Sequence, residues 1–256
     1  MELVSALHGY GSEITDASLL STKELLVRQL PAAMLGYHAL IDRLNDNRRT
    51  EDLVVGGIEA QLEQEFDAWL TPQVLALAAI VKWAPATDLT LVATPNVSAG
   101  AREICAAARS FGQGQPALTY AWDELYGRYT PQQLSGTKPD SDTSVSFSLF
   151  PSTYTPGMEG TVPELRDRLM SIQTITPHLK VPSVLSSLAY FETLRAQGYS
   201  YDGASPEETS VCHIDLPSQR MGDWARVPST VIAPNGQLLL GYVGIMDSNP
   251  TRLAIV

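Results

Sequence analysis

The sequence predicts a mixed fold, α/β or α+β, in which a mixed sheet with a C-terminal β-hairpin is preceded by a helical N-terminal segment. Three observations carry this expectation. Apolar residues of the first third recur at helical spacing. From Asp88 onward, strand-like and helix-like runs alternate. Near the C-terminus an Asn-Gly pair separates two apolar runs.

Leu19, Leu20, Lys23, Leu26, Val27 and Leu30 form a helix-like stripe, which Pro31 is expected to break. A second helix is expected over Pro31 to Leu44, with Met34, Leu35, Leu40, Ile41 and Leu44 toward the core. Ile58, Leu62, Phe66 and Trp69 then recur at spacings of four, four and three, one face of an amphipathic helix. Thr71-Pro72 has the chemistry of an N-cap followed by a first-turn proline, opening a helix from Val74 to Trp83. Pro85 marks a change of character. The expected organisation is a helical segment over residues 1–84 and an α/β domain over 85–256, or one continuous domain.

Asp88 to Thr94 reads as a strand ended by Pro95-Asn96, and Ser98 to Phe111 as an alanine-rich helix carrying Cys105 and closed by Gly112. A short strand over Ala117 to Tyr120 and a helical turn through Trp122, Leu125 and Tyr126 follow, and Gly136 to Ser144 is a loop by composition. Val145, Phe147 and Leu149 alternate with serines in the next strand. Thr161-Val-Pro-Glu164 has the form of a capping box and opens a helix to about Ile175. Pro182 to Gln197 is a further helix, with Gly198 just past its end. Arg226 to Ala233 is rich in β-branched residues, Pro234-Asn235-Gly236 supplies the turn, and Leu238 to Ile245 returns as an apolar strand. Together they predict a hairpin central to the core sheet, covered on both faces.

Composition limits the function classes. A net charge of −11 weighs against nucleic acid and anionic membrane surfaces, since both reward a basic face. The longest apolar run, Val74 to Val81, is too short to cross a bilayer, so no membrane insertion is expected. No signal peptide is expected either, because the start of the chain lacks a basic region and a long apolar core. Cys105 and Cys212 are the only cysteines and make neither a disulfide framework nor a zinc pattern, which fits a cytoplasmic location.

From about Asp88 to the C-terminus the order of elements resembles an uncharacterised bacterial domain family of unknown function. The similarity rests on the DLTLVATPN strand from Asp88, the SVSFSLF strand from Ser144, a helix like Val181 to Arg195, Cys212, Arg220-Met-Gly-Asp223 and Arg226-Val-Pro228. It implies a cytosolic α/β domain and carries no catalytic residue.

The sharpest chemical cluster is Cys212-His213-Ile214-Asp215. On a strand, His213 and Asp215 would share one face, where the carboxylate could orient the imidazole as a general base. Cys212 would point to the other face, which disfavours a Cys-His nucleophile. The ordinary reading is a buried cysteine and a hydrogen-bonded histidine at a strand end. Arg220, Asp223 and Arg226 could clamp a ligand carboxylate or phosphate, or instead form an internal Arg-Asp bridge that fixes the loop.

Gly9-Tyr-Gly11 and Gly112-Gln-Gly114 lack the context of a nucleotide cradle, and His8, His38, His178 and His213 show no paired ligand spacing. No cofactor and no metal is therefore expected. Glu59, Glu63, Glu65 and Asp67 read as a solvated acidic face. The balance favours a soluble, non-enzymatic protein-interaction or structural module, a homo-oligomer or a component of a larger assembly. The alternative is a small-molecule enzyme or ligand-binding protein using the C-terminal His/Asp/Arg cluster.

Overall fold

The computed structural model describes residues 16–46, 60, 64–69, 89–110, 129–136, 145–152, 155–174, 177–198, 211–212, 219–221, 224–232 and 238–255. Helices and antiparallel sheets combine in a mixed α/β arrangement that opens with a long helix, α1 (Asp16–Asn45). Strand β1 (Leu89–Pro95), helices α2 (Ala101–Ser110) and α3 (Pro131–Ser135), strands β2 (Val145–Pro151) and β3 (Glu159–Gly160) and helix α4 (Val162–Gln173) follow. After β4 (Leu179–Lys180) and α5 (Val184–Ala196) come β5 (Val211–Cys212), β6 (Gln219–Met221), β7 (Trp224–Ile232), β8 (Leu238–Gly244), β9 (Asn249–Pro250) and β10 (Ala254–Ile255). The helices expected over 71–83 and 122–126, the strand over 117–120 and the Pro234-Asn235-Gly236 turn lie outside the described residues.

Pro31 does not break the first helix: α1 runs through it for 30 residues. The physical reason is where the proline sits. Proline removes the bond to the carbonyl four residues earlier, here that of Val27. Pro31 and Val27 both lie on the exposed face, where water can take that carbonyl. The opposite face buries Leu26, Leu30, Ala33, Tyr37, Leu40, Ile41 and Leu44, so packing holds the helix on both sides of the proline. Leu35, expected in the core, is on the exposed face at 59%.

The main sheet has the order β1-β2-β10-β4, antiparallel throughout. Its two faces feed two apolar cores. Leu89, Leu91, Ala93, Val145, Phe147 and Leu149 face the first, with α4 and most of the buried face of α1; Phe66 packs there too, and Trp69 rests against it. Val92, Phe150 and Ala254 face the second, built largely from α5 with residues of α2 and α3. Helix α1 contributes to both, Leu26 to Ile41 to one and Leu40 and Leu44 to the other.

It can serve both because it covers the free edge of β1. The Gln29 side chain donates to the Leu89 carbonyl at 2.8 Å and accepts from the Leu91 amide at 2.8 Å, standing in for a neighbouring strand. Opposite, β4 is only two residues long, so the other edge is short.

The predicted hairpin is present: β7 and β8 pair from Arg226↔Gly244 to Ile232↔Leu238. It does not belong to the main sheet, as its sequence suggested, but forms a second one. There β7 is central, with β8 on one edge and β5 and β6 on the other. Apolar runs on both strands specify burial but not which sheet receives them. Ser229 and Thr230, adjacent along β7, are both buried, so the strand is covered on both faces at that point.

Capping chemistry fixes the helix starts. Glu164 accepts from the Thr161 amide at 2.8 Å and from its hydroxyl at 2.9 Å, and these bonds hold the Glu164 carboxyl below the usual carboxylate range. Ser183 caps α5 by accepting from the Ser186 amide at 3.0 Å, and Gly198 follows its end at φ 76°. The short helix α3 was not anticipated, although Thr130-Pro-Gln-Gln133 forms a capping box there.

Replacing Gln29 should expose the importance of the β1 edge. Gln29→Ala leaves a part-buried amide and carbonyl without partners and is expected to cost about 2 kcal/mol in urea unfolding. A loss near zero would show that solvent replaces the side chain.

Candidate functional site

The C-terminal cluster singled out from sequence is only partly described. His213, Asp215 and Asp223 lie outside the described residues. Cys212 sits in β5, paired with Ser229. Arg220 is in β6 opposite Ala225, and Arg226 is in β7 opposite Gln219. Directly opposed residues of an antiparallel pair share a face and neighbours along a strand alternate, so positions 220 and 226 lie on opposite faces of this ribbon.

The strongest polar features of the described core lie elsewhere, around α5. From Val184 to Leu194 every residue of this helix is buried, although the run includes Ser186, Ser187, Tyr190, Glu192 and Thr193. Each polar group needs a partner in that setting. The Ser187 hydroxyl donates to the Ser183 carbonyl at 3.1 Å, and the Thr193 hydroxyl to the Ala189 carbonyl at 2.9 Å. Glu192 pairs with Arg43 of α1. The two helices can touch here because residue 36 is glycine: a Cβ at that position would lie 2.7 Å from the Thr193 amide nitrogen.

Tyr190 meets Arg252, which is fully buried just before β10. The guanidinium donates from Nη1 to the Tyr190 hydroxyl at 3.2 Å and from Nη2 to the Ser152 carbonyl at 3.0 Å. Its carbon also lies 5.6 Å from the centre of the Tyr190 ring, which in turn stacks on Phe150 at 4.7 Å. One side chain therefore links the end of β2, the central helix and the C-terminal strand.

Around it, the Thr155 hydroxyl accepts from the Leu253 amide at 2.8 Å, and the Thr251 amide donates to the Met158 carbonyl at 2.7 Å. Nothing in the sequence marks Arg252, because an isolated arginine next to proline and threonine carries no local sign of burial. These groups are enclosed and committed to one another. Their chemistry is that of a locked core.

On α1, Tyr37 is buried in the first core, on the other face of the main sheet, and its phenol is pushed up to about 12 by desolvation and by the charge of Glu65. Among the described residues no group of three histidine, cysteine, aspartate or glutamate side chains could hold a metal ion. No described helix is long and apolar enough to cross a membrane.

Comparison with protein-family models, curated proteins and solved structures found no match. No relative therefore lends this site a chemistry.

Two measurements probe the locked core. Arg252→Ala should lower unfolding stability by about 3 kcal/mol, from the cavity and the acceptors it orphans. Arg252→Lys should recover little of it, because an ammonium cannot reproduce the planar two-way fork; full recovery by lysine would refute that geometry. The raised Tyr37 phenol sets an alkaline limit. Because its folded value lies above the ordinary 10.0, its contribution is complete below pH 10 and is lost as pH rises toward 12. Thermal midpoints of Tyr37→Phe should therefore fall less than those of the parent across that window, and parallel curves would assign the loss to another group.

Proposed function

We propose that this chain is a non-enzymatic structural or protein-interaction module of the cytoplasm, working through contacts with copies of itself or with another protein of a larger assembly. The outer face of α1 carries this reading. Val27, Pro31 and Leu35 follow one another at intervals of four on that face, with Val27 exposed at 44% and Leu35 at 59%. Single exposed apolar residues, such as Met170 and Met246, are ordinary on a protein surface. Three in line on one long helix are a different matter, since an apolar stripe beside polar neighbours is how helices meet partners. Glu24, Arg28 and Asp42 are exposed on the same helix and would give such a contact a polar rim.

The acidic balance of the chain, net charge −11, supports a protein partner over nucleic acid. Among the described buried polar groups, Glu192, Tyr190 and Arg252 join separate elements, which fits a structural role better than a catalytic one.

Solution mass tests the reading. Light scattering on protein taken gently from its source should give a discrete species well above 27.8 kDa. Val27→Glu with Leu35→Glu should reduce it toward that mass without changing far-ultraviolet circular dichroism. A parent protein that is monomeric and retains no partner in a mild pull-down would refute the proposal.

A further inference from the structure

The β1–β2 ribbon has two chemically different faces, both covered. One is wholly apolar. The other carries Thr90, Val92 and Thr94 from β1 and Ser146, Ser148 and Phe150 from β2, so hydroxyls outnumber hydrocarbon side chains on it. This hydroxyl-rich face turns toward the second core, where Phe150 stacks on Tyr190 of α5. Alternating serines in a strand ordinarily mark a solvated face; here Thr94 and Ser148 are each only 3% exposed.

Ser146, nearer the surface, donates to the Asn96 side-chain oxygen at 2.6 Å. Among the described residues, Oγ1 of Thr94 and Oγ of Ser148 have no hydrogen-bond partner. A buried hydroxyl in that condition bears its whole desolvation cost with nothing in return. The two are neighbours: Val92 is opposite Ser148 and Thr94 opposite Ser146, so Thr94 and Ser148 lie on one diagonal of the same face. Cβ atoms on such a diagonal are within about 7 Å of each other. Side-chain oxygens projecting from them come within reach of one bridging water, which needs at least two polar partners.

We propose that Thr94 and Ser148 hold one ordered water between the β1–β2 ribbon and the core built on α5, as a fixed component of the fold. The water completes both hydroxyls at once and so couples the two strands through a side-chain bridge in addition to the backbone ladder.

Thr94→Val, which keeps the shape and removes the oxygen, gives the decisive sign. With a bridging water, Thr94→Val and Ser148→Ala should each lower the urea unfolding midpoint. The double variant should fall by much less than the sum, because the first substitution already releases the bridge. A Thr94→Val midpoint equal to or above the parent's would overturn the proposal, since an unpartnered hydroxyl is better replaced by a methyl. Losses that simply add would overturn it as well. If the variants do not fold, a high-resolution crystal structure of the unmodified protein decides: density for a water within hydrogen-bond distance of both oxygens is expected, and its absence refutes the site.

Discussion

Burial of α5 on every side from Val184 to Leu194 is the constraint on which the rest of the structure depends. A helix with no solvent face cannot leave polar side chains to water, and Val184 to Leu194 includes several. Serine and threonine solve the problem within the helix by donating to carbonyls one turn back. Glu192 and Tyr190 cannot, and each draws in a distant arginine, Arg43 from α1 and Arg252 from the C-terminal segment. The long-range architecture follows from those two demands. One arginine brings the first helix against the fifth, and the other brings the end of the chain into the middle of the main sheet.

Edges are the second organising problem. A four-stranded antiparallel sheet leaves two rows of backbone groups open. On β1 the row is met by a glutamine from α1, which presents its amide where a strand would present its backbone. At the other end the strand is too short to offer much of an edge. This arrangement explains how α1 reaches both cores: a helix lying along a sheet edge can send side chains to either face. The same position leaves its far side open to solvent, and there Val27, Pro31 and Leu35 line up. Pro31 is part of this logic. It is tolerated because it lies on the exposed face, where water can take the carbonyl it orphans, and it adds apolar surface where a partner could cover it.

What the sequence determined by itself was mostly local. Turn and cap chemistry, set by neighbouring residues, marked the hairpin partners, the Thr161 capping box and Gly198 at the end of α5 correctly. A strand-like run ended by Pro95-Asn96 marked β1, alternation marked β2, and helical spacing placed Phe66 and Trp69 at the core. Tertiary structure decided everything that required knowing which side of an element meets water. Pro31 reads as a helix breaker unless its exposure is known, and Leu35 reads as core until α1 is seen to turn it outward. The hairpin went to a second sheet because burial of apolar strands says nothing about their neighbours. The two-residue strand β10 has too little pattern of its own and exists only between β2 and β4. Arg252 is the clearest case: arginine is ordinarily a surface residue, and its burial is offset by groups that only the folded chain brings to it, among them a tyrosine sixty-two positions earlier and a carbonyl one hundred positions earlier.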